Sequence, residues 1–122
     1  MELYYRSRKD SDATWTKEIL LSKGVDFVFD PKMGVEGDRI VVVFGGYTKD
    51  GNQAVARPHP SDVFVTTSRD GGKTWRPPAR VTDNAKAGVC STRPEVMLYK
   101  GNIHLFYEAG ALMYQRRAFP EE

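Results

Sequence analysis

The segment Ser68-Arg69-Asp70-Gly71-Gly72-Lys73-Thr74-Trp75 carries more information than any other in this 122-residue chain. A short carboxylate two residues after a serine can accept backbone N–H bonds inside a tight turn. Gly72 supplies the positive φ that such a turn often needs. The Thr74 hydroxyl can fix the exit of the turn, and Trp75 can bury a large aromatic surface beneath it. The expected product is a rigid hairpin turn with a small core of its own. Truncating Trp75 is accordingly expected to cost about 3 to 5 kcal/mol.

A second, degraded copy precedes it. Arg8-Lys9-Asp10-Ser11-Asp12-Ala13-Thr14-Trp15 ends in the same Thr-Trp, and Asp10 stands before Trp15 as Asp70 stands before Trp75. Arg8 replaces the serine and Asp12 the glycine. The interval from Trp15 to Trp75 is a period of the size that signals propeller blades or another array whose repeats cannot bury their faces alone.

The rest of the chain reads as short strands separated by Gly, Asn and Pro. Ile40-Val41-Val42-Val43-Phe44 is the strongest, with the near-continuous apolar pattern of a strand buried on both faces. Gly45-Gly46 is expected to end it. Trp15 to Leu21 and Trp75 to Thr82 are expected strands leaving the two turns, with Pro77 and Pro78 suiting an edge. Val25 to Asp30 is expected to stop at Pro31, and 33–38 to form a turn. Asp62 to Thr67, Arg93 to Tyr99, Ile103 to Tyr107 and Ala111 to Arg116 complete the set, with no convincing helix.

The pattern S-x-D-x-G-x-T-W resembles the Asp-box (BNR) repeat of sialidase-like β-propellers. That resemblance implies an all-β fold of four-stranded antiparallel blades, each box joining the third and fourth strands. Strand order then gives a single all-β domain over 1–122: a partial blade at 3–21, a complete blade at 25–82 and a partial blade at 93–117. Leu112-Met113-Tyr114-Gln115-Arg116 also resembles Leu3-Tyr4-Tyr5-Arg6-Ser7. About two blades cannot close a ring of four to eight, and their open edges and faces need covering. Three alternatives stand: a homo-oligomer, with a trimer forming a six-bladed ring favoured; a piece of a longer propeller; or an all-β monomer that has borrowed the turn.

In the family, box turns lie away from the active face. The resemblance therefore makes Ser68, Asp70, Gly72, Thr74, Trp75, Asp10 and Trp15 structural, and looks for ligands at the opposite strand ends. Candidates there are Asp26, Tyr47, Arg57, His59, Arg93, Tyr107 and Glu108. Arg93, opening a strand as Thr-Arg-Pro, resembles the arginines that hold a sialic-acid carboxylate, and a guanidinium fork suits a planar carboxylate. The family's site also needs three such arginines, an acid and a tyrosine activated by a glutamate. Tyr107 and Glu108 are neighbours whose side chains point to opposite faces of a strand. The expected function is a non-catalytic module that binds a glycan or another partner through these loops; the alternative is a sialidase-like glycoside hydrolase or a fragment of one.

Other classes fit poorly. Eighteen Lys and Arg against sixteen Asp and Glu are scattered along the chain, so neither a nucleic-acid nor a polybasic membrane surface is expected. His59 and His104 lack metal spacing, and no metal or cofactor is expected. Cys90 is the sole cysteine, which excludes an intrachain disulfide and leaves the compartment open. No apolar run approaches the roughly 20 residues of a membrane span. Met1 to Arg6 lacks the apolar core of a signal peptide, so the chain is expected to be cytoplasmic, or a piece or mature form whose export signal lies elsewhere.

Overall fold

A computed structural model describes residues 1–48, 60–83, 85 and 88–120. Among them the chain is β throughout, with no α-helix. Nine strands follow in order: β1 (Tyr4–Tyr5), β2 (Ile19–Leu20), β3 (Phe27–Glu36), β4 (Arg39–Tyr47), β5 (Asp62–Ser68), β6 (Ala79–Arg80), β7 (Thr92–Tyr99), β8 (Asn102–Glu108) and β9 (Leu112–Ala118). They form three antiparallel blade-like sheets: a first of β1-β2, a central one of β3-β4-β5-β6 and a last of β7-β8-β9. In each, every strand lies beside its predecessor in the chain, so the sheets are meanders.

The central sheet is the wall on which the others pack. Residues 40–46 of β4 and all of β5 are buried, as the apolar run predicts. Alternation splits their side chains between two cores. Val41, Val43, Val63 and Val65 point one way and meet Leu98, Ile103, Leu105 and Tyr107 of the last sheet. Ile40, Val42, Phe44 and Phe64 point the other way, toward Leu21 and the partly buried Leu3, Tyr5, Ile19 and Trp75. The first and last sheets therefore lie on opposite faces of the central one. Each fully buried side chain of this kind contributes roughly 1.5 to 3 kcal/mol of transfer free energy.

The coordinates repeat. Tyr4 pairs with Leu20 and Tyr5 with Ile19; one period later, Phe64 pairs with Arg80 and Val65 with Ala79. Thr16 N–H donates to Ser7 O at 2.8 Å and Arg76 N–H to Thr67 O at 2.9 Å. A second repeat links the other strands. The β3-β4 register slips between Phe29 and Lys32, and the β7-β8 register slips between Thr92 and Glu95. At each slip a residue with left-handed φ precedes a proline: Asp30 at 51° with Pro31, and Arg93 at 52° with Pro94.

Those slips correct one expectation. Pro31 does not end β3; it sits in the bulge, where a missing N–H breaks no ladder bond, and the strand runs on to Glu36. The turn within 33–38 shrinks to Gly37-Asp38. Gly45-Gly46 likewise does not end β4, which continues to Tyr47. The two glycines are places of close approach: a Cβ on Gly45 would collide with the Phe29 ring, and one on Gly46 would lie 2.5 Å from the Phe27 carbonyl oxygen. The strands leaving the turns are also shorter than expected. Only Ile19–Leu20 and Ala79–Arg80 are paired; ahead of the second, Pro77 and Pro78 cannot donate to β5.

Candidate functional site

The turn at Ser68 to Trp75 is closed by its own side chains. Gly72 N–H donates to Ser68 Oγ at 2.9 Å, and Ser68 Oγ–H donates to Asp70 Oδ1 at 2.9 Å. Asp70 also accepts the Thr74 N–H at 2.9 Å and the Thr74 hydroxyl at 2.5 Å. These donors favour the ionised carboxylate: chiefly the Thr74 hydroxyl, then the Thr74 N–H and Ser68, hold Asp70 at a pKa of about 2. Trp75 Nε1–H donates to Gly72 O at 2.9 Å, and its ring lies 4.9 Å from that of Tyr5. The indole is half-buried rather than buried, because it also borders the open cleft beside the turn.

The first copy folds differently. Among the described residues Asp10 makes no hydrogen bond of the Asp70 kind. Trp15 is 53 % exposed, with the Arg6 and Arg8 guanidinium groups 5.1 and 5.5 Å from its ring centre. Its indole is a stacking platform for two cations and not a core residue.

At the opposite strand ends, the candidates fall into two pairs. Asp26 N–H donates to Tyr47 O at 3.1 Å, and the Tyr47 ring stacks on Phe27 with centres 5.1 Å apart. Arg93 donates to Glu108 at 3.3 Å; both side chains are exposed, and Glu108 is the only partner of Arg93 among the described residues. Such an ion pair is worth at most about 1 kcal/mol, so a ligand carboxylate can replace it. Arg57 and His59 lie outside the described residues.

Arg93 opens onto a cleft of about 680 Å³ lined with Glu95, Phe106, Glu108 and Leu112. This cleft is on the face of the last sheet turned away from the central sheet. Tyr107 points the other way: it is buried in the core, where its hydroxyl accepts from Gln115 Nε2 at 2.9 Å. Tyr107 and Glu108 therefore do not form a nucleophile and activating base.

Sequence reading misses three features of the fold and the candidate site. Asp62, at the buried start of β5, accepts from Arg80 at 2.5 Å, Thr82 Oγ1 at 2.7 Å and Ala85 N–H at 3.3 Å, fixing the segment that leads from β6 toward β7. Glu36 accepts the N–H groups of Gly101 at 2.8 Å and Lys100 at 2.6 Å, which hold its carboxyl below the usual range and tie the central sheet to the last. Phe106 gives the Arg93 cleft an aromatic wall. In sequence, Asp62 and Glu36 are only acids beside a strand and a glycine turn, and nothing names partners so far along the chain.

No family model matches this chain, and no curated protein matches it. Solved structures do. A mutant of Trypanosoma rangeli sialidase displaying trans-sialidase activity is similar with a TM-score of 0.50 and 15 % identity, over 95 % of this chain and 26 % of that one. Trypanosoma rangeli sialidase in complex with the inhibitor DANA matches with a TM-score of 0.48 and 14 % identity, over 87 % and 22 %. The first of these shows the fold, that of a sialidase-like β-propeller. The chain spans about a quarter of the length of each. Among the described residues, no helix is long and apolar enough to cross a membrane.

Proposed function

We propose that this chain is an Asp-box propeller module that binds a glycan or another partner through the strand ends opposite the Ser68–Trp75 turn, without catalysing its hydrolysis. The observation that carries this reading is the division between Tyr107 and Glu108. The tyrosine is enclosed in the core and the glutamate engages Arg93 outside it, so the pieces of a hydrolytic centre point apart while a carboxylate-binding arginine stays accessible. Phe106 offers the apolar face on which a sugar ring can stack, and Arg93 offers the fork for an acidic substituent.

Titration of the chain with sialic acid and with neutral sugars, followed by amide shifts in NMR spectra, tests this. Shifts centred on Arg93, Phe106 and Glu108 and abolished by Arg93→Ala are the expected outcome; shifts centred elsewhere, or none with any sugar, defeat it. The second reading, a sialidase-like hydrolase or part of one, draws on Arg93 and the fold. Measurable turnover of a fluorogenic sialoside, lost in Arg93→Ala, would establish that reading in place of the first.

A further inference from the structure

The Ser68–Trp75 turn uses its acid internally and leaves a cation outside. Both oxygens of Asp70 are engaged within the turn, Oδ1 by Ser68 Oγ–H and the Thr74 N–H, Oδ2 by the Thr74 hydroxyl. Arg69, the next residue in the chain, therefore draws no ion pair from it. Its guanidinium is exposed and, among the described residues, its side chain makes no ion pair and no hydrogen bond. Arg69 and Arg76 both line the cleft of about 440 Å³ beside the turn, which Thr67, Asp70, Thr74 and Trp75 complete. That volume lies in the range of small-ligand sites. Two guanidinium groups against one carboxylate give the lining an excess of positive charge.

Each wall offers a different contact. An exposed guanidinium fork suits a carboxylate or a sulfate. The Trp75 indole N–H is already given to Gly72 O, so toward the cleft the indole presents apolar ring surface and no donor. The Thr74 hydroxyl gives its hydrogen to Asp70, so in the cleft its oxygen can only accept. A bare sulfate or carboxylate has no hydrogen to offer it, whereas a sugar hydroxyl has.

We propose that this cleft is a second binding site, for a sugar ring that carries a carboxylate or sulfate group. The anionic group meets Arg69 and Arg76, the ring lies against Trp75, and a ring hydroxyl donates to Thr74. Asp70 and Trp75 keep their places in the turn, and the binding role falls to the residues around them. The site is at the opposite end of the strands from Arg93 and does not rest on a ligand there.

The cleft is built from one continuous stretch inside the chain, 67–76, at the β6 edge of the central sheet. The sheets of this array pack face against face. A neighbouring sheet therefore covers a face and leaves this edge open.

Titration of the intact chain with glucuronate, a sulfated glucose, glucose and inorganic sulfate, followed through amide and indole N–H signals in NMR spectra, tests the proposal. Saturating shifts at Arg69, Thr74 and the Trp75 indole with one or both acidic sugars are expected, and the tighter of the two names the substituent. Arg69→Ala removes a side chain that makes no hydrogen bond in the fold, and should weaken this binding about tenfold, the loss of one charge-assisted contact. No saturating shift with either acidic sugar, glucose binding as tightly as they do, or Arg69→Ala binding like wild type overturns the proposal. Inorganic sulfate binding as tightly as the acidic sugars overturns it as well, since the ring would then contribute nothing. Signals from Arg93, Phe106 and Glu108 report on the other site in the same spectra, so either site can fail without the other.

Discussion

Leu3 and Val63, one repeat apart, make the same two hydrogen bonds: each backbone N–H donates to a hydroxyl on the following strand segment, and each carbonyl accepts the N–H just before that hydroxyl. A repeat that has lost its serine and its glycine at the turn thus keeps its backbone bonds. The turn is the variable part and the strand pair the constant one.

Asp70 makes stability depend on acid. Its folded pKa of about 2 lies below its ordinary value of 3.8, so the unfolded chain binds the proton first as pH falls. The contribution is complete above about pH 4, declines between about 4 and 2, and is absent below. Asp70→Asn should flatten that window in urea midpoints measured against pH. An identical slope in both proteins would show that Asp70 is not the group responsible.

Trp75→Ala removes a half-buried indole from Tyr5 and the core around Phe44, and forfeits its bond to Gly72 O. The expected loss is about 3 kcal/mol, the low end for a large aromatic because the site is partly open. Trp15→Ala, at an exposed indole, should fall within about 0.5 kcal/mol. Equal losses in denaturant titrations of the two variants would contradict the difference in their packing.

Breaking the Asp62–Arg80 pair leaves a cation facing an emptied buried site. Asp62→Ala should cost about 3 kcal/mol, whereas Asp62→Asn keeps an acceptor for Thr82 and Ala85 and should cost about half as much. Thermal unfolding of both orders them.

Gly46→Ala sets a methyl group against the Phe27 carbonyl, which cannot step aside without breaking β3-β4 pairing. A loss of about 1 to 3 kcal/mol is expected. Gly37→Ala meets nothing within 4 Å. It bears only the strain of its left-handed φ, about 1 kcal/mol. Comparable midpoints for both would mean that the close approach at Gly46 relaxes freely.

Much of this architecture is legible in the sequence. The tryptophan spacing gives the repeat, and the valine run gives the wall between two cores. What escapes is what proline and glycine do inside a sheet. Pro31 and Gly45-Gly46 look like punctuation because both weaken a strand locally, yet here one occupies a bulge and the others admit a ring and a carbonyl. At the site, Arg93 and Glu108 are each legible as a candidate at a strand end, but their pairing across β7 and β8 is not. Phe106 is not, because its exposure depends on which face of the last sheet lies uncovered.

The bulge that carries Arg93 is also present at Asp30, with the same backbone turn and the same proline behind it. Its shape is set by main chain and proline ring, not by the side chain it displays. A cation stands on one such pedestal and an anion on the other, so exchanging the residue there can change the charge displayed while the scaffold remains as it is.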